Sequence, residues 1–393
     1  MRVAARKNDQ ADRWAGFTMN ADQGHIGLGA NQVRAHGVAY TALLDAYAPT
    51  DDLSPRQIAR ELEGTMWKAV DLPGRSTLTF DQRLIGGLKD LHAALTLPPA
   101  AFDCWVLVAG LDPARGLKMG NVLLRRFGRT HQRILVVQAG LRRDMARDAK
   151  TLTKDRVVAA VRVMARDDEG ARALARNEVR RALDVINFFR PAQPFQQGWA
   201  HLPEEAATTN TFSVVRGVNE SHASIEYSVN GPFPMLKPSE LRPSHARLWR
   251  SASALLRAAK SGNVAELIVT AMQWSGRAEA EPRRETAFLL NAIALETLLL
   301  PIKEGELNYR LAQRTARLLG RSKSERVEVA SRTKRLYGIR SKIVHSGSFT
   351  VTALELSEIR GLAVAAIVRA LRRRSFWLET AKAWDADLER KAL

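Results

Sequence analysis

Residues 244–393 follow one pattern, in which apolar residues recur every three or four positions. This spacing places the apolar side chains on one face of an α-helix. Four glycines separate the segments and are predicted to end helices, namely Gly262, Gly276, Gly320 and Gly347. Short connections make successive amphipathic helices antiparallel neighbours, so this part of the chain is predicted to form an all-α bundle.

The bundle is predicted to contain a series of helices over residues 246–260, 264–274, 282–300, 306–319, 324–345, 352–373 and 377–391. Thr352 and Glu355 have the spacing of a capping box, in which each side chain bonds to the backbone N–H of the other residue. They are predicted to begin the helix that follows.

The remaining chain is predicted to form two other regions. Residues 1–98 are predicted as a mainly helical region, with a helix over 81–95 and another that begins after Ser54 and Pro55. Residues 99–238 are predicted as an α+β domain with a helix over 167–189 and strands over 104–109, 133–138, 157–164, 211–215 and 223–229. Prolines near residue 238 mark its boundary with the bundle, and the fold class is α+β multidomain.

Charge favours a polyanionic partner. The net charge is +19, which points first to nucleic acid and second to an acidic membrane surface. Residues 301–345 are especially basic, with twelve Lys or Arg against four acids. The alternative for many of these side chains is an ordinary solvated helix face.

Cys104 is the chain's single cysteine, so neither an intrachain disulfide nor a cysteine-rich zinc cluster can form. Its apolar neighbours predict a buried thiol rather than a nucleophile. No stretch approaches the ~20 apolar residues of a membrane span, and polar residues follow the N-terminus where a signal peptide would be apolar. We expect a soluble, cytoplasmic protein with no membrane partner.

A specific chemistry is suggested near the end of the predicted helix 324–345. Arg340 precedes His345 by five residues there, and the earlier predicted helix 282–300 carries the lone acid Glu296. The same spacing recurs between Arg126 and His131, but that pair follows strand-like residues and lacks the helical setting, so we interpret it as coincidence.

Over about residues 282–375, the chain resembles the Apea-like HEPN domains of the HEPN superfamily, whose signature is an Arg, four to six residues and a His near a helix end. Many members of that superfamily are metal-independent endoribonucleases. The resemblance implies an RNA-cleaving homodimer of toxin, abortive-infection or antiphage type. Residues 99–238 would then sense a trigger or position RNA, and a regulatory protein or a phage-derived molecule is the expected trigger.

The resemblance implies catalytic roles for Arg340 and His345. A histidine, with an ordinary pKa of about 6.5, can take a proton from the ribose 2′-hydroxyl. An arginine fork can offset the charge that develops on the phosphate oxygens. Positions five apart diverge by about 140° around an α-helix, so the two side chains would not share a face of one chain. HEPN domains resolve this by dimerising, and we therefore predict a composite site.

Other residues are assigned supporting roles. Glu296 is predicted to pair with Arg340, and Tyr337 either packs or stacks on a base. Ser341 follows the arginine where active members often have Asn, Asp or His, and it is a weaker orienting group. RNA contacts are predicted for three basic residues, Lys334, Arg335 and Lys342.

Two other functions stay open. One is a non-catalytic HEPN-like module that binds RNA or a nucleotide, and the other is a structural dimerisation domain. In both, Arg340 would form a structural ion pair and His345 would complement the helix dipole. The chain has no Gly-x-Ser-x-Gly elbow, His-Glu-x-x-His helix or Walker lysine, so no metal or organic cofactor is expected.

Overall fold

The computed structural model describes the following parts of the chain: residues 4–5, 18–21, 24–27, 58, 62, 65, 80–96, 98–111, 116–126, 157–189, 200–202, 211–217, 224–228, 246–302, 306–346 and 350–390. These parts are mostly helical with antiparallel strand pairs, which confirms an α+β fold class. The chain divides into two compact units. The first comprises Met1–Cys104, Arg162–Ala175 and Val215–Ser224, and the second comprises Trp105–Val161, Arg176–Val214 and Ile225–Leu393.

Three short strands near the N-terminus form an antiparallel sheet in the order β1-β3-β2, with β1 at Ala4–Ala5, β2 at Thr18–Ala21 and β3 at Gly24–Gly27. The sequence analysis did not predict them, because strands this short carry too few residues for an alternating pattern. Helix α1 spans Phe80–Leu95, as predicted to within one residue.

A second sheet has six strands in the order β5-β6-β7-β4-β8-β9. Their bounds are Ala100–Val108 for β4, Leu117–Met119 for β5, Val122–Arg126 for β6, Val157–Ala165 for β7, Thr211–Gly217 for β8 and Ser224–Ser228 for β9. Along β7, Val161, Val163 and Ala165 are buried while Arg162 and Met164 are exposed, the alternation that a strand with one buried face requires. The predicted strand over 133–138 lies outside the described residues.

Helix α2 spans Asp168–Phe188, and its C-terminal half packs closely on helix α4, Val264–Ala278. At Gly276 the backbones approach so closely that a Cβ atom would lie 1.9 Å from the carbonyl oxygen of Asp184. The prediction that Gly276 ends a helix is therefore wrong. The absence of a side chain at Gly276 allows α2 and α4 to pack closely, and α4 continues past this residue to Ala278.

The helical pattern of the C-terminal part is confirmed. Besides α4, its helices are α3 at Ala246–Ala258, α5 at Arg284–Leu299, α6 at Leu307–Leu319, α7 at Lys323–Ser346, α8 at Ala353–Arg372 and α9 at Ala381–Arg390. Helix α5 contacts α4, α6, α7 and α8. Buried residues lie on several of its sides, as expected of a helix surrounded by others. The capping box of Thr352 and Glu355 is present and begins α8.

The predicted last helix begins later than expected. A 3₁₀ turn spans Arg374–Phe376 and α9 starts only at Ala381. The intervening carbonyls of Trp377 and Glu379 accept hydrogen bonds from the N–H groups of Ala265 and Val264, at 2.9 Å each. These bonds satisfy backbone donors in the first turn of α4, which have no partner inside their own helix. Among the described residues, no helix is both long enough and apolar enough to cross a bilayer.

Candidate functional site

The Arg340 and His345 motif lies on α7, which is helical from Lys323 to Ser346. Buried Leu336 and Ile339 anchor this part of the helix, because residues three apart lie on one helix face. Arg340 adjoins this buried face and is partly buried, whereas His345 is exposed in the last turn. Because α7 is helical throughout the motif, the two side chains point about 140° apart around its axis. One chain does not bring them to a shared face.

Arg340 forms an ion pair with Glu296 of α5, so this prediction is confirmed. Its Nε lies 2.9 Å from Oε1, and Nη2 donates a long hydrogen bond of 3.5 Å to Oε2. The Nε–H does not point at Oε1, so the shorter contact is electrostatic rather than a well-aligned hydrogen bond. Glu296 is only 8% exposed and lies among buried Ala294 and Leu295, where an unpaired carboxylate would be costly.

Tyr337 packs against Arg340, and packing was one of the two roles predicted for it. The guanidinium carbon lies 5.6 Å from the centre of the ring, within the range of a cation–π contact. Burial raises the pKa of the Tyr337 hydroxyl, the Glu296 carboxylate raises it further, and Arg340 opposes both effects. The tyrosine therefore helps Glu296 to fix the orientation of the arginine.

The other predicted residues are distributed around α7. Ser341 is partly buried, whereas Lys342 is exposed. Lys334 lies with its Nζ 5.1 Å from the ring centre of Tyr309, and Arg335 pairs with Glu358 of α8. All three basic residues are exposed, so each is accessible to a polyanion.

The sequence analysis missed a cleft of about 620 Å³ where the C-terminal ends of α6 and α8 meet the start of α7 and the end of α9. We call it the arginine cleft, because its lining includes Arg317, Arg321, Arg326, Arg369, Arg372 and Arg373. The signal in the sequence was the repeated placement of arginines in and after the last turns of two helices. Only the packing of those helix ends brings them together.

Three residues before Arg317 in α6, Arg314 is 2% exposed and forms a bidentate pair with Asp385, with Nη1–Oδ1 at 2.6 Å and Nη2–Oδ2 at 2.9 Å. Nη1 also donates to the Leu299 carbonyl at 2.8 Å, and Nη2 to Glu389 at 2.8 Å. This network joins α6, α9 and the end of α5. It is a buried structural pair rather than a binding site.

Within the described parts of the chain, no group of three or more His, Cys, Asp or Glu side chains is arranged to hold a metal ion. Comparison with known proteins gives no match to a family model, to a curated protein or to a solved structure.

Proposed function

We propose that the protein is a metal-independent endoribonuclease of HEPN type, which acts as a homodimer and serves toxin, abortive-infection or antiphage defence. The observation that supports this most is the arrangement of the motif. Glu296 and Tyr337 hold Arg340 in a partly buried position, while His345 lies exposed five residues further along the helix. One residue is thus oriented by the bundle and the other is accessible, as a phosphate-binding cation and a general base need to be.

The reaction would proceed by attack of the ribose 2′-oxygen on the adjacent phosphorus. His345 takes the proton of the 2′-hydroxyl, the bond from phosphorus to the 5′-oxygen breaks, and a protonated histidine donates a proton to that leaving oxygen. Arg340 offsets the negative charge on the phosphate oxygens. The products are a 2′,3′-cyclic phosphate and a 5′-hydroxyl. In the composite site of a homodimer, His345 of one protomer performs both proton transfers and Arg340 of the other protomer faces the phosphate.

The non-catalytic RNA-binding module is the second candidate. It is favoured by the ion pair itself, because a carboxylate at 2.9 Å already balances much of the charge of Arg340. Ser341 also favours the binding module, because it is a weaker orienting group than the Asn, Asp or His often found after the arginine in active members.

Cleavage separates the two candidates. Purified protein is incubated with total cellular RNA in EDTA, beside Arg340→Ala and His345→Ala, and the new ends are mapped. Arg332→Ala is the matched control, since Arg332 lies on the same helix and forms an exposed pair with Glu328 one turn earlier. We expect the wild type and the control to cleave RNA and leave cyclic phosphate ends, and neither Arg340→Ala nor His345→Ala to do so. No cleavage by the wild type, with salt-sensitive RNA binding retained by all four proteins, would replace the enzyme by the binding module.

The nucleophile is tested with a synthetic RNA in which the 2′-hydroxyl beside a mapped cut is replaced by hydrogen. We expect cleavage at that position to stop, because the attacking oxygen is gone. Continued cleavage there would rule out this mechanism while leaving nuclease activity intact.

The composite site is tested by co-expressing Arg340→Ala with His345→Ala. If each site takes Arg340 from one protomer and His345 from the other, a mixed dimer contains one complete site. Random pairing makes half of the dimers mixed, so roughly one quarter of wild-type activity should return. Light scattering of the wild type at micromolar concentration should give the mass of a dimer. A monomer, or no recovery of activity in the mixture, would contradict the composite site.

A further inference from the structure

The arginine cleft carries more positive charge than its own surroundings balance. The carboxylate of Asp387 pairs with Arg373 at 2.7 Å, and that of Glu389 is shared by Arg310 and Arg314. Arg369 and Arg372 are exposed, and neither has an ion-pair partner in the parts of the chain that the structure describes. No acidic side chain is part of the lining.

Several of these arginines are held in place by the protein. Arg317 donates through Nη1 to the Leu388 carbonyl at 3.1 Å and through Nη2 to Gln313 at 2.8 Å. Arg326 donates from Nε to the Gly320 carbonyl at 3.3 Å. The guanidinium of Arg373 lies 4.5 Å from the ring centre of Phe376. Groups held in this way lose little conformational entropy when they bind an anion.

The helix dipoles explain only part of this arrangement. Arg317 lies in the last turn of α6, and Arg369 and Arg372 lie in the last turn of α8, where cations are favoured. Each helix end carries about half a negative charge, so two ends offset about one of the six positive charges. Burial lowers the pKa of Arg317, and neighbouring Arg314 lowers it further, which reflects the crowding of positive charge. Most of the excess positive charge in the cleft is therefore not balanced by the helix dipoles.

We propose that the arginine cleft binds a ligand that carries several linked phosphate groups, and that it recognises the phosphate chain itself. Guanidinium forks match phosphate oxygens in geometry and charge. A cleft of about 620 Å³ is the size of a small-molecule site. Its remaining lining, Leu318, Leu319, Gly320 and Leu388, has no side-chain group that could read a base or sugar.

A compact polyphosphate fits this lining better than single-stranded RNA. Sites that follow an RNA strand combine a basic groove with aromatic side chains on which bases stack. The lining of this cleft contains no aromatic residue. The ligand is therefore the polyphosphate chain, either free or as part of a nucleotide. This inference does not depend on Arg340 or His345, which are not part of the cleft.

The test measures the binding of sodium tripolyphosphate to the full chain by calorimetry, in EDTA and at near-physiological salt. The variant is the double substitution Arg369→Gln and Arg372→Gln, since both side chains are exposed and their loss should not affect folding. The matched control is Arg283→Gln with Arg284→Gln, which removes two exposed arginines outside the cleft. We expect affinity to fall on the order of 100-fold in the first variant and less than about threefold in the control.

ATP serves as the second ligand and distinguishes the two sources of phosphate. Affinities for ATP and tripolyphosphate within about tenfold of each other support recognition of the chain alone. Three outcomes would overturn the proposal: no binding of tripolyphosphate at millimolar concentration, equal weakening in both double variants, or loss of RNA binding in the first variant without any binding of tripolyphosphate. The last outcome would make the cleft part of an RNA path. Because RNA cleavage is assayed separately, failure here leaves the proposed nuclease untouched.

Discussion

Replacing Asp385 by alanine isolates the contribution of the most deeply buried ion pair described in the helical part of the chain. Arg314 is 2% exposed, and both of its Nη atoms bond to Asp385. Asp385→Ala leaves a buried guanidinium without its main counter-charge. The Leu299 carbonyl and Glu389 remain as partners, but Glu389 is itself 58% exposed and so screened by water.

The magnitude follows from this geometry. Breaking a buried pair by removing one partner costs about 3–5 kcal/mol. Because two bonds to Arg314 survive, we expect the lower end, about 3 kcal/mol of unfolding free energy. At about 2–4 °C per kcal/mol for a chain part of this size, Tm should fall by about 6–12 °C. The double substitution Arg314→Met and Asp385→Leu removes both charges, so it should cost less than about 1 kcal/mol or stabilise the bundle.

The assay is urea unfolding followed by circular dichroism at the helical band. Glu328→Ala is the control, since it breaks an exposed pair with Arg332 and should change stability by less than about 1 kcal/mol. If Asp385→Ala costs no more than this control, the pair does not carry the energy assigned to it. A double variant as unstable as the single one would show that shape rather than charge explains the loss.

Three further predictions concern stability and reactivity. Gly276→Ala should cost at least about 1–3 kcal/mol in urea unfolding, because its Cβ would lie 1.9 Å from the Asp184 carbonyl oxygen. The control is Gly361→Ala, which has open space around it in a helix and should stabilise the protein by about 0.5–1 kcal/mol. Equal effects of the two substitutions would contradict the close packing. Burial, with Asp103 as a lesser cause, raises the pKa of Cys104 to about 12, so at pH 8 roughly one thiol in 10⁴ is ionised against about a quarter of free cysteines. Iodoacetamide should then modify Cys104 only after unfolding, and rapid labelling of the native protein would refute its burial. The neutral thiol of Cys104 also stabilises the fold below pH of about 8.5, and this contribution should be lost as pH rises toward 12, which a stability profile from pH 8 to 11 measures.

The sequence predicted the helical part well because its signals are local. Apolar spacing and the capping box placed α5, α7 and α8 within two residues of their observed bounds. Gly276 shows where local reasoning fails. A glycine that ends a helix and one that admits a neighbouring backbone look alike in sequence, and only the approach of Asp184 distinguishes them.

The candidate site was predictable in part for the same reason. The pairing of Glu296 with Arg340 could be foreseen because Glu296 is a lone acid between apolar residues of its helix, where a carboxylate needs a partner. The arginine cleft could not, because it depends on two helix ends meeting across a separation of more than fifty residues. A basic residue near a helix end is common in any sequence, and its partners become visible only in three dimensions.

The network around Arg314 has a consequence for the order in which the protein matures during synthesis. Its carboxylate partners, Asp385 and Glu389, follow it by 71 and 75 residues, so a growing chain that has already made α6 contains a buried cation without a counter-charge. Until those acids have been synthesised, docking of α6 on α5 would bury the Arg314 guanidinium with the Leu299 carbonyl as a partner but no carboxylate. The nascent helices should therefore remain loosely associated, and α6 should pack stably in the bundle only after α9 has been translated.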